Sequence, residues 1–125
     1  GVNIGLFCST PMVAISRKVS AKDMMYMLLT GKKITALEAK DFKLINLVVE
    51  KKDFQQEIST ITKLLTEKSF QSIKIGKEAF YKQLEMPLNL AYKYTSKVMT
   101  TNMSTKDANE GINAFVQKRK PKWSQ

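Results

Sequence analysis

Met27-Leu28-Leu29-Thr30-Gly31, then Ile34-Thr35-Ala36-Leu37-Glu38-Ala39, then Leu44-Ile45-Asn46-Leu47-Val48-Val49, form the stretch on which the fold turns. The first piece ends a helix that opens at Ser20-Ala21-Lys22-Asp23 with a capping-box arrangement. Its body, Met24 to Leu29, is apolar nearly all round, which predicts deep burial. Gly31 predicts a left-handed residue closing that helix, with Lys32 and Lys33 just beyond its negative end. Thr35 and Glu38 form a second capping box, opening about two turns that end near Phe42. Leu44 to Val49 is short, β-branched and bounded by charges, and predicts a strand.

Toward the start, Val2, Ile4 and Leu6 alternate with small or polar residues and predict an edge strand. Thr10-Pro11 predicts a helix start, with Thr as N-cap and Pro in the first turn, leading into Met12, Val13, Ile15 and Arg17. Residues 1–50 thus alternate extended pieces with short helices. One strand and one edge-like piece do not make a self-contained sheet, because their backbone donors and acceptors lack neighbours. The region is expected to need more protein, either upstream residues or a partner subunit.

Toward the end, the character changes at Asp53 to long helices. Asp53 and Gln56 make a capping pair, and Phe54, Ile58, Ile61, Leu64 and Leu65 form a stripe at helical period. Ser69 starts a helix expected to carry Ile73, Phe80 and Leu84 inside and Lys74, Lys77 and Lys82 outside. Pro87 breaks it and opens the next, where Leu88, Ala91, Tyr94 and Val98 share a face. Ser104-Thr105-Lys106-Asp107 caps the last helix, whose ridge is Ala108, Ile112, Phe115 and Val116. That helix is expected to release a cationic tail, Lys118-Arg119-Lys120-Pro121-Lys122, with Trp123 inside the positive patch.

The 125 residues carry a formal charge of +10, with 21 Lys/Arg against 11 Asp/Glu. Residues 1–60 hold 9 cations and 6 anions, residues 61–125 hold 12 and 5, so the excess is +3 and +7. An anionic partner near the second half is therefore plausible: nucleotide phosphates, nucleic acid or acidic lipid. Cys8 stands alone, which excludes an internal disulfide, and there is no histidine. The usual zinc ligand sets and a Ser-His or Cys-His nucleophilic centre cannot be assembled from this chain. Cys8 reads as a small buried hydrophobe, and the Met24, Met25, Met27 cluster as core filling. No apolar run approaches the roughly 20 residues that cross a bilayer.

Taken together, these stretches resemble the enoyl-CoA hydratase/isomerase (crotonase) superfamily. There the pattern reads Leu-Thr-Gly, Ile-(Ser/Thr)-Ala-x-Glu-Ala, then Gly-Leu-(Ile/Val)-x-x-Val-Val. The tail Glu110-Gly111, Ala114-Phe115 and Lys118-Arg119-Lys120-Pro121-x-Trp123 is similar to the superfamily's closing motif. The opening Gly1 to Pro11 and the run Phe80-Tyr81-Lys82-Gln83-Leu84 look like one branch of it. Lys43 departs from the pattern, standing where a glycine precedes Leu44, so a less tight turn is expected there.

The resemblance implies an α/β fold: the C-terminal part of a ClpP/crotonase-like fold, mostly α-helical here with one or two short strands. Residues 1–50 would be the end of the spiral core and residues 51–125 the helical trimerisation region. It also implies a coenzyme A thioester as substrate or ligand, with no prosthetic group, and a trimer or hexamer. The mitochondrial matrix is the implied compartment, the cytoplasm the alternative. Family catalysis stabilises a developing enolate with two backbone N–H groups, and hydration adds two glutamates. The N–H segments and one glutamate would fall upstream of Gly1, while Gly1 itself stands at the second glutamate's place. Ser9 falls where hydratases often have a glycine that helps hold the water.

Glu38 and Glu110 read as cap and surface carboxylates and Glu50 as a strand-end charge, not as substitutes for that glutamate. The ligand contacts that carry over are Phe115 and Lys118, which the family pattern sets against the adenosine and phosphates of coenzyme A. Three readings follow: a crotonase segment inert alone, a stand-alone module assembling with itself or with full-length crotonase subunits, and a basic nucleic-acid binder. The last is weakest, since no groove-reading motif accompanies the cations.

Overall fold

The structure, a computed structural model, describes residues 1–124. It falls into two compact units, Gly1–Gln55 and the remainder from Gln56.

In the first unit, α1 (Ser9–Ser16), α2 (Ala21–Thr30) and α3 (Ala36–Asp41) follow a single 3₁₀ turn at Val2–Ile4. Ser20 caps α2 by accepting the Asp23 N–H at 3.1 Å, and its hydroxyl donates to the Asp23 carboxylate at 2.7 Å. Thr35 and Glu38 complete a full capping box on α3. Helix α1 begins earlier than expected, with Cys8 rather than Thr10 at its N-cap and no side chain closing it. Met24 and Leu28 join Val19 in a small core, against which Cys8, Met12, Ile15, Met27, Phe42 and Leu44 pack. Only one face of α2 is buried, contrary to expectation: Met25, Tyr26 and Leu29 are exposed.

Gly31 closes α2 at φ 58°, and a Cβ there would lie 2.6 Å from Asn3 Oδ1 and 2.8 Å from Val2 Cγ1. Only glycine lets the opening turn approach so closely, and Asn3 Nδ2 donates to the Gly31 carbonyl at 3.3 Å.

Neither expected strand forms among the described residues. Val2–Ile4 curls into its turn through the Ile4 and Leu6 N–H groups, both donating to the Gly1 carbonyl. Leu44 to Val49 runs without regular hydrogen bonding. Alternation and β-branching specify a strand only where a neighbouring strand takes up the ladder, and none does.

Lys43 corrects another expectation. It takes the left-handed conformation itself, φ 63°, so the turn keeps the geometry a glycine would give. The Lys43 N–H donates to the Lys40 carbonyl and the Leu44 N–H to the Ala39 carbonyl, each at 2.9 Å. That 5→2 and 6→1 pair is a Schellman closure.

The second unit holds α4 (Phe54–Thr66, whose first residues begin in the first unit), α5 (Phe70–Gln83), α6 (Leu88–Met103) and α7 (Lys106–Val116). A 3₁₀ turn at Lys51–Asp53 leads into α4 in place of the Asp53–Gln56 capping pair. Ser69 and Thr105 cap α5 and α7 through the Ser72 and Ala108 N–H groups. Helices α5, α6 and α7 pack against one another through their alanines: Ala79, Ala91 and Ala114 are buried. Lys82 Nζ lies 5.1 Å from the Tyr94 ring centroid, a cation–π contact between α5 and α6.

The large residues expected inside are mostly outside. Ile73, Phe80, Leu84 and Leu88 are exposed, as are Ile112, Phe115 and Val116 on the α7 ridge, and so is the whole α4 stripe. The chain exposes 10624 Å². Two compact units of these sizes, sharing no surface at all, would together expose about 8,100 Å². Large apolar side chains stand on that surface, an exposure of the kind found at contacts with other protein.

Candidate functional site

Helix α7 ends in the second left-handed lysine. Val116 is its last residue and Gln117 its C-cap, Lys118 follows at φ 53°, and the chain turns back. The Lys118 N–H donates to the Phe115 carbonyl at 3.1 Å and the Arg119 N–H to the Ala114 carbonyl at 3.0 Å, again a Schellman closure. Ala114 is buried, which anchors the turn. Phe115 and Lys118, expected to share a ligand, are thus joined through the backbone at the helix end, and the Phe115 side chain is 85% exposed.

The residues after Lys118 do not run free, as the sequence had suggested; they fold back along α7. Glu110 is the hub. Its carboxylate takes both Arg119 Nη atoms, at 2.6 and 2.9 Å, and also accepts the Lys122 backbone N–H at 2.7 Å. The Arg119 guanidinium first, and then the Lys122 N–H, hold the Glu110 carboxyl down at about 2. Arg119 Nε also donates to Gln117 at 2.7 Å. Trp123 lies over Gly111, where an added Cβ would meet the indole at 3.3 Å, and its Nε1 donates to the Glu67 carbonyl at 2.8 Å.

Asp107 completes the clasp. It is 2% exposed, yet ionised, because its oxygens accept the Ser124 hydroxyl at 2.6 Å, the Ser69 hydroxyl at 2.5 Å and the Ser124 N–H at 2.8 Å. Those bonds, the Ser124 hydroxyl foremost, lower its pKa against the opposing effect of burial. The tail is therefore less of a free cationic patch than its composition implies. Arg119 is neutralised, and Trp123 spends its ring and its N–H on the fold. Lys118, Lys120 and Lys122 stay exposed.

Gly1 offers no proton-transfer group, and its surroundings leave little room for one. A Cβ at this position would stand 2.4 Å from Cys8 Sγ and 3.0 Å from the Leu6 carbonyl oxygen. Glu38 is committed to its capping box and to Lys32, 3.0 Å away. The Thr35 backbone N–H, followed by Lys32, holds Glu38 at about 2, so it is an ionised cap and not a proton shuttle. Glu50 lies exposed before the Lys51–Asp53 turn. No group of three or more potential metal ligands occurs among the described residues, and none of their helices is long and apolar enough to cross a membrane.

The family profile described as enoyl-CoA hydratase/isomerase matches residues 1–125, the whole chain. This chain belongs to the enoyl-CoA hydratase/isomerase family. The mitochondrial enoyl-CoA hydratase domain-containing protein 3 of Rattus norvegicus is 46% identical over 124 residues, 99% of this chain and 41% of that protein. The crystal structure of the human enoyl-CoA hydratase domain-containing protein 3 superposes with TM-score 0.93 at 46% identity, covering 98% of this chain and 49% of that one. An enoyl-CoA hydratase from Mycobacterium smegmatis gives TM-score 0.94 at 41% identity, over 98% and 48%.

The chain takes the crotonase-like fold of these neighbours, in its mostly helical part, and spans less than half the length of each of these relatives. Sequence reasoning named Phe115 and Lys118 as candidate ligand contacts and missed the clasp of Asp107, Glu110, Arg119 and Trp123. A signal for it existed. Glu110-Gly111 one helix-length before Arg119 and Trp123 sets a carboxylate opposite a guanidinium and a bare backbone opposite an indole.

Proposed function

We propose that this chain supplies the coenzyme A-contacting end of an acyl-CoA-handling protein of fatty-acid metabolism, together with part of its subunit packing. Phe115 lies against the adenosine and Lys118 against the phosphates of the bound thioester. The observation that carries this reading is the end of α7. It leaves an aromatic ring and an ammonium exposed three residues apart in the chain, while the neighbouring guanidinium is tied to Glu110. A flat ring and a point charge at one rigid helix end suit a nucleotide's base and phosphates.

On this reading residues 1–50 belong to the end of the spiral core and residues 51–125 to a trimerisation region. The assembly is a trimer or hexamer of such subunits in mitochondria, where the rat relative's name places that protein. The chain alone does not hydrate enoyl thioesters, since Gly1 stands in the place of a catalytic carboxylate.

The test is retention on coenzyme A-agarose. Wild-type chain is retained and Lys118→Glu passes through while keeping its helical circular dichroism. Equal retention of both would refute the assignment of Lys118. Turnover of crotonyl-CoA by the isolated chain would contradict the reading of Gly1.

A second reading, an oligomerisation module without a ligand, is favoured by the exposed α4 stripe of Phe54, Ile58, Ile61, Leu64 and Leu65. Sedimentation distinguishes the two. Association that ignores coenzyme A supports the module, and a folded monomer that ignores it counts against both.

A further inference from the structure

The Schellman turn at Lys118 lacks the part that usually locks such turns. After a left-handed C′ residue, the next residue commonly makes a hydrophobic contact back onto the helix. At Lys43 that residue is Leu44, half-buried against the Val19, Met24, Leu28 core. At Lys118 it is Arg119, a charged residue whose guanidinium goes to Glu110. Lysine has a Cβ and disfavours the left-handed region, so something must hold it there. Glu110 reaches the turn at two points, through the Arg119 guanidinium and through the Lys122 N–H, 2.7 Å away. The segment on either side of Pro121 is thereby pinned two helical turns back along α7.

We propose that Glu110 is a positioning residue for coenzyme A binding: by clamping Arg119 and Lys122 it locks Lys118 in its left-handed conformation and fixes where its ammonium is presented. The Glu110 carboxylate is occupied by Arg119 and Lys122, so its effect on binding passes entirely through the shape of the turn. The inference rests on the reading of Lys118 as a phosphate contact, but its conformational half stands on the turn alone. Without the lock, Lys118 spends most of its time in ordinary helical or extended backbone. The competent fraction, and with it the affinity, falls by about tenfold.

Two measurements on the full chain test this and keep it apart from the ligand assignment. The first is the intraresidue amide–Hα Overhauser effect at Lys118, which is strong at positive φ. It is expected to be strong in the wild type and to weaken in Glu110→Gln and in Arg119→Ala, while the same signal at Lys43 is unchanged. An unchanged Lys118 signal in both variants overturns the proposal whatever coenzyme A does. The second is coenzyme A affinity by calorimetry. Glu110→Gln is expected to weaken binding about tenfold, and to add nothing in a Lys118→Gln background, because both changes remove one contact. Weakening by Lys118→Gln with none by Glu110→Gln overturns the positioning role and leaves the site reading standing. Should Lys118→Gln bind as wild type, the site reading fails, and the coenzyme A half of the proposal fails with it. Additive losses would mean that Glu110 acts through general folding, and would also overturn it.

Discussion

Lys43 and Lys118 hold the same backbone conformation at the ends of two helices, and they are held there by opposite means. Each follows the C-cap residue of its helix, each has positive φ, and each is closed by the same pair of backbone hydrogen bonds. At Lys43 the lock is Leu44 packed into the core of the first unit. At Lys118 the lock is the Glu110–Arg119 ion pair, with Arg119 38% exposed, and the Trp123 and Asp107 contacts beyond it. The hydrophobic lock is indifferent to salt and acid, whereas the ionic one responds to both. Two lysine turns have reached one geometry by different chemistry.

The largest effect is expected from breaking the hydrophobic lock. Leu44→Ala removes a half-buried side chain from a small core and should cost about 2 kcal/mol, independent of ionic strength, by urea unfolding. Next comes the ionic lock. Glu110 sits at about 2 in place of its ordinary 4.5, and Asp107 is lowered as well. The folded tail thus binds protons less readily than the released chain. Its stabilisation is complete above about pH 4.5 and is lost as the pH falls toward 2. Trp123 emission should shift red across that window and not between pH 5 and 8, and Glu110→Gln should flatten the transition. Salt should loosen Trp123 before it touches the first unit, because the ion pair is partly solvated.

A smaller effect separates the lysines by their purpose. Replacing either lysine by glycine relieves the left-handed backbone but loosens the unfolded chain, for a net gain of about 0.5–1 kcal/mol at each site. Lys43→Gly should show that gain in thermal unfolding with nothing lost. Lys118→Gly should show it together with loss of coenzyme A retention. The smallest effect is expected at Gly111→Ala. The gain in helix propensity, about 1 kcal/mol, is opposed by a Cβ 3.3 Å from the Trp123 ring. Stability should change by only a few tenths of a kcal/mol, with a visible change in Trp123 emission.

The starts of α2, α3, α5 and α7 were legible in the sequence because caps are local, while those of α1 and α4, which no side chain closes as expected, were not. Ser20, Thr35, Ser69 and Thr105 each accept the N–H three residues on, and that spacing can be read directly. The left-handed closure at Gly31 was legible for the same reason. Inside and outside were not. Helical period marks Ile58, Phe80 and Ile112 as faces that want burial, but the period does not say that the covering surface lies within this chain. The apolar residues that are buried on α5, α6 and α7 are Ala79, Ala91 and Ala114, too small to stand out in a hydrophobic pattern. The strands at Val2–Leu6 and Leu44–Val49 failed likewise, for want of a neighbour. Of the candidate site, Phe115 and Lys118 came from a family pattern. The clasp, spanning from Glu67 and Ser69 to Ser124, is a product of tertiary contact and lies outside any short motif.

The central claim is that the left-handed end of α7 presents Phe115 and Lys118 to a coenzyme A nucleotide. Titrating isotope-labelled chain with coenzyme A and following the backbone amides tests it most directly. The account expects saturable shifts concentrated at Ala114 to Lys118, absent in Lys118→Glu. Shifts that avoid the end of α7, or that persist unchanged in that variant, would contradict it.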